Sequence, residues 1–285
     1  MVKIRRPVVA GLFYEDNPDS LKRQIEECFL HKLGPGRLPA EPQPYSKSVL
    51  GVIAPHAGYM YSGPVAAHSY LKLAESGKPK VLFIFGPNHH GRGDPIAISS
   101  MEYWLTPLGK LRVDLELGKE LAKRSGIASL EDFAHIHEHS IEVQLPFIQY
   151  VFGEEVSIVP VCMMLQYPQA AEVLGKTVAS MIEEYGLEAY IIASSDFNHY
   201  EPVEVTERKD KRALEKILAL DYKGLYDVVV ETPISICGPG PIMVLLVAAR
   251  ELGAKNVEIL KYANSGDVTG DYSTVVSYAS IAFMW

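Results

Sequence analysis

AYIIASSDFNH, residues 189–199, is an apolar run of strand length that ends in a cluster of polar, chemistry-bearing side chains. Two earlier stretches repeat the arrangement, VIAPH at 52–56 and VLFIFGPNHH at 81–90. Their continuous apolar character, without alternation, is that of strands covered on both faces. Strands are predicted at Val49–Ala54, Val81–Phe85, Val156–Cys162 and Ala189–Ala193. Helical patterns lie between and after them, at 63–75, 116–125, 140–152, 168–185, 206–219 and 240–252, and two β-rich runs, Val257–Tyr262 and Thr274–Phe283, close the chain. The alternation predicts an α/β fold of three layers, α/β/α, around a central mixed, mostly parallel sheet. The run 95–115, with Ile96–Ser99 and Leu111–Leu115, reads as a hairpin insertion. At the N-terminal end, Asn17 caps a helix opened by Pro18, and Leu21, Ile25, Cys28 and Phe29 share one face of it. A Pro/Gly-rich connector, 34–48, is too early to divide two large domains, so residues 1–285 read as one domain.

Composition narrows the function. The chain has 27 Lys plus Arg against 35 Asp plus Glu, a net charge of −8, which argues against a nucleic-acid binder. No stretch reaches the roughly 20 apolar residues that span a bilayer, so no membrane role is expected. Three widely spaced cysteines, Cys28, Cys162 and Cys237, do not make a disulfide scaffold, and a cytoplasmic location is expected.

In open α/β sheets ligands bind beyond the carboxyl ends of the strands. Parallel neighbours would bring His56, the pair His89 and His90, and Asp196 with His199 to one crevice. ISICGPGPIMVLL (234–246) adds Cys237 just ahead of an apolar helix, where the helix dipole favours thiolate. Two histidines and a thiolate suit zinc, copper or iron. Asp196 and His199 are the candidate acid/base pair, Asp196 orienting the ring. Tyr14, Tyr59 and Tyr61 would shape a substrate pocket, with His139 and Glu142 from the run HIHEHSIE (135–142) pointing toward it. That run does not make a three-histidine plate of its own if a helix begins near Ser140. Phosphate-loop, dinucleotide and nucleophile-elbow patterns are absent: Gly175-Lys176-Thr177 lacks its leading glycine, since position 170 is Ala. Ser194, Ser195, Asp196 and His199 lie too close in sequence for a hydrolase triad.

The blocks PVVAGLFYEDN (7–17), IAPHAGYMYSG (53–63), FGPNHHG (85–91), EHSIEVQLPF (138–147), SSDFNHY (194–200) and ICGPGPI (236–242) together resemble the Memo family. The resemblance implies a LigB-like fold, that of the class III extradiol ring-cleavage dioxygenases. It implies one metal ion, iron or copper before zinc, on His56, His89 and Cys237, with Asp196 and His199 further pocket residues. It implies metal-dependent oxidoreductase chemistry on an unidentified substrate, with radical-SAM and Ammecr-family partner proteins. Phe13 stands where some relatives have tryptophan. A cysteine in place of the carboxylate of the facial triad argues against simple ring cleavage. The alternative from another class is a non-catalytic module that holds a peptide or protein partner in the same cleft.

Overall fold

The computed structural model describes residues 2–285. In chain order the elements are β1 (Ile4–Arg5), α1 (Pro18–Leu30), β2 (Val49–Ala54), α2 (Tyr59–Glu75), β3 (Val81–Pro87), β4 (Ile96–Ile98), β5 (Tyr103–Thr106), β6 (Gly109–Val113), α3 (Leu115–Ser125), β7 (Ser129–Leu130), α4 (Leu145–Phe152), β8 (Ser157–Met163) and α5 (Pro168–Glu184). They continue with β9 (Ala189–Ser194), β10 (His199–Glu201), α6 (Val203–Leu218), α7 (Tyr222–Glu231), α8 (Pro239–Glu251), β11 (Asn256–Asn264), α9 (Gly266–Thr269) and β12 (Val275–Met284).

The strands form one sheet with the central order β8-β3-β9-β2-β12. β8, β3, β9 and β2 are mutually parallel, while β12 runs antiparallel to both β2 and β11. The parallel strands are buried on both faces, and their side chains divide two cores. Phe83, Phe85, Ile191 and Val159 pack under α5 and α8. Leu82, Ile84, Ile192 and Ile158 pack under α1, α2 and α4. This is the expected three-layer α/β/α fold. Among the described residues, no helix is long and apolar enough to cross a membrane.

The local signals around α1 act as read: Asn17 accepts from the N–H groups of Asp19 and Ser20, and Leu21, Ile25, Cys28 and Phe29 are buried. Three details differ from expectation. The hairpin is β5 with β6; Ile96–Ile98 instead pairs antiparallel with β8, and Asp114 caps α3. The segment expected as one helix from 140 opens with a 3₁₀ turn, Glu142–Gln144, before α4. Helix α7 was not expected, because Val228-Val229-Val230 masks a helix that Asp221 caps through the Gly224 N–H.

Candidate metal centre at the strand ends

The tips of β2, β9 and β3 are adjacent because β9 lies between the other two, and the Ser195 N–H donates to the Ala54 carbonyl where the chains leave the sheet. Beyond them lies a pocket of about 570 Å³ lined by His56, His89, His139, Asp196, His199 and Cys237, with Phe13 and Tyr200 at its walls. The rings of His56, His89 and His139 stand 4.5–5.5 Å apart, centroid to centroid. One ligand atom from each lies within 4.8 Å of the others. Cys237 is not part of that close group, where His139 takes the place expected for it; its Sγ lies 3.1 Å from His56 Nε2 alone.

The hydrogen bonds fix which nitrogen each ring offers. Ser194 donates its proton to the Ser140 carbonyl and accepts from the Gln144 amide, whose own orientation is set by Tyr70 and by the Pro55 carbonyl. The His56 Nδ1, 2.8 Å from Ser194 Oγ, must therefore carry the proton and donate. His89 Nδ1 donates to Glu138 Oε1 at 2.9 Å, and His199 Nδ1 donates to the Ser235 carbonyl at 2.8 Å. In its neutral form each of these rings, His56, His89 and His199, presents Nε2 without a proton. A partner on the outer nitrogen that fixes the tautomer is the usual support of a metal-ligating histidine.

Electrostatics favour neutral imidazoles at His56 and His139. Burial, reinforced by the neighbouring imidazoles of His89 and His139, holds His56 well below its usual range. Burial likewise lowers His139 to about 4. Burial raises Glu138, but the hydrogen bonds it accepts from His89 Nδ1 and the Ser140 N–H act against it, and its carboxylate lies below its usual range. Burial raises Asp196 despite the N–H of His56 that it accepts.

Several sequence expectations need correction. The Cys237 thiol is not biased toward thiolate by α8: burial, then Asp196, pushes it up. The dipole's free N–H groups are taken instead, Gly238 by Ser195 Oγ and Gly240 by Gln166 Oε1. Asp196 does not orient His199; it holds the backbone N–H of His56. Tyr14 and Tyr59 are core residues, because α2 begins at Tyr59 and turns it inward. Their hydroxyls donate to Glu142 and to the Val143 carbonyl. Tyr61 lines a neighbouring recess of about 350 Å³ rather than the pocket. Glu142 is buried against Arg5 and the Val8 and Val9 N–H groups, outside the pocket. His139 does face the pocket, as one of the three clustered imidazoles. Sequence reading assigned no role to Glu138, Gln144 or Ser235, and Ser194 stood out only within a triad-like run. Each acts across a contact between distant segments, for which adjacency in sequence gives no signal.

A family profile described as Memo-like protein matches residues 5–282. The chain belongs to the Memo-like family. A MEMO1 family protein of Desulfurococcus amylolyticus is 48% identical over 282 residues, covering 99% of both chains. One of Pyrobaculum aerophilum is 50% identical over 282 residues, again with 99% of both covered. Among solved structures, an uncharacterized protein of Escherichia coli K12, JW3007, matches with a TM-score of 0.55 at 13% identity, over 82% of this chain and 99% of that one. That likeness is one of fold.

Proposed function

We propose that this Memo-family chain is a metal-dependent oxidoreductase. Its iron or copper centre would be held by His56, His89 and Cys237, with His139 as a further donor beside them. The observation that supports the reading is the clustering of three imidazoles, His56, His89 and His139, at the strand ends, with the Cys237 sulfur 3.1 Å from His56 Nε2. The donor set fits: neutral imidazole and sulfur together suit copper, iron and zinc. Such an ion would supply one-electron redox chemistry and open positions for substrate and oxidant. The protein's part is to keep His56 and His139 neutral, to aim the rings, and to present His199 Nε2 at the pocket wall. Phe13, tilted against His139 at 4.8 Å, gives the pocket an apolar side suited to a small organic substrate. A cytoplasmic location and service to radical-SAM and Ammecr-family partners belong to the same proposal; co-purification of those proteins with the tag-free chain tests the latter.

The deciding experiment is elemental analysis of tag-free protein prepared without air, beside His56→Ala and Cys237→Ala. About one equivalent of iron or copper, lost in both variants, is expected. Folded variants that keep full metal sink the assignment, and one equivalent of zinc moves it toward hydrolysis. A second reading, a non-catalytic module for a peptide or protein, draws on one feature. The recess next to the pocket shares Phe13 and Gly58 with it and carries exposed Leu12 and Met60. It predicts partner capture that survives metal removal.

A further inference from the structure

The loop after β3 carries two adjacent histidines that face different ways. Both are exposed, but His89 lines the pocket and His90 does not. The segment before the 3₁₀ turn does the same with three residues: His137 faces solvent, Glu138 is buried, and His139 stacks on His89. As a result, His90, Glu138 and His139 also bring one ligand atom each within 4.8 Å of one another, and the ring of His137 stands 6.3 Å from that of His90. The turn is held by side-chain hydrogen bonds. The His90 and Gly91 N–H groups are held by the Asn88 side chain, and Asn88 Nδ2 donates to the Arg92 carbonyl. Gly91 takes the left-handed φ of 61° that this tight turn requires. Glu138 is fixed by the N–H groups of His89 and Ser140, and retains lone-pair capacity on its oxygens.

We propose that His90, Glu138 and His139 form a second, outer cation site, distinct from the pocket centre and reached from solvent. Two imidazoles and a carboxylate select a borderline divalent ion such as nickel, zinc or copper(II) over magnesium or calcium. The site is the weaker of the two, because His90 must be ordered from solvent and Glu138 already accepts three N–H groups. It touches the inner group at two points: His139 is common to both, and Glu138 fixes the tautomer of His89. An ion on the outer site draws charge from Glu138 and so weakens its hold on His89.

The test is calorimetry with Ni²⁺ alone on the tag-free chain. Beside the inner class, a weaker binding class is expected that weakens at least tenfold in His90→Ala and persists in His56→Ala. The inner class shows the opposite pattern, so failure of the redox-centre reading and failure of this one are separate results. Glu138→Gln, if folded by circular dichroism, loses the weaker class as well. Titrations of His90→Ala that match wild type overturn the proposal. So does a weaker class unchanged in folded Glu138→Gln, which reduces the site to a pair of surface imidazoles.

Discussion

Ser194 decides what His56 can do. Its hydroxyl accepts from His56 Nδ1 only because its own proton is committed to the Ser140 carbonyl. Ser194→Ala removes that constraint and frees the other tautomer, so metal affinity should fall about 10–100-fold. The lost buried hydrogen bonds should cost about 1–3 kcal/mol of stability. Competition with a chromogenic chelator reads the first effect and urea unfolding the second; a folded variant with wild-type affinity would refute the role. His135 gives a pH prediction away from the pocket. It is buried with its Nδ1 unpartnered and its Nε2 on the Ala97 carbonyl, and burial, then Arg5, lowers it to about 4. The unfolded chain therefore binds the proton first, so stability is full above pH about 6.5 and is lost as pH falls toward about 4, by on the order of 3 kcal/mol. The urea midpoint of wild type should drop across that window more than that of His135→Gln; equal drops would disprove it. The residues legible in sequence, His56, His89, Asp196, His199 and Cys237, all sit at the end of an apolar strand or the start of an apolar helix. Tyr59 misled because an aromatic just after a histidine faces the site or the core according to where the next helix begins, and Tyr14 because its hydroxyl is claimed by buried Glu142, far away in sequence.

At the scale of elements, the sheet was readable because its central strands are buried on both faces and so have no polar face to blur them. The short strands β5 and β7 and helix α7 were not, and β4 was given the wrong partner, since two to four residues carry little period and a valine run favours strand over helix. Helix contacts are legible only in the fold, and Gly175 shows why. In sequence it resembled a fragment of a phosphate loop; in α5 it lies against α8. A Cβ there would lie 2.6 Å from Val247 Cβ and 2.7 Å from the Val244 carbonyl oxygen. Neither is the tip of a flexible chain, so the helices must part. Gly175→Ala should cost about 1–3 kcal/mol in spite of alanine's better helix propensity. Denaturant unfolding checks the sign, and a stabilised variant would mean that the two helices have slack. Gly238 is tighter in consequence, since a Cβ would meet the Ser194 carbonyl oxygen at 2.6 Å and displace Cys237 with it.

For the whole molecule, the N-terminal segment acts as a strap that ties a sheet edge to the pocket wall. β1 pairs with β5, and its Arg5 donates to Glu142 Oε2 at 2.5 Å and to the carbonyls of His135 and Glu138. Its guanidinium also lies 4.3 Å from the Trp104 ring centre. Glu142 gathers the other side of the strap through the N–H groups of Val8 and Val9 and the Tyr14 hydroxyl. Phe13, carried between those anchors, is thereby set against His139. Both charges are buried, so removing one leaves the other without compensation. Arg5→Leu should cost about 3–5 kcal/mol. Adding Glu142→Gln removes the stranded charge yet keeps an acceptor for Val8 and Val9. The double variant should therefore be more stable than the sum of the single changes by about 0.5–3 kcal/mol, as coupled neighbours are. If the strap sets the wall, ligand affinity should fall in Arg5→Leu and recover in part in the double variant, in parallel with stability. Additive stabilities would show that the ion pair is not what joins the strap to the body. Coupled stabilities with unchanged ligand affinity would show that Phe13 is placed by its own packing on His139.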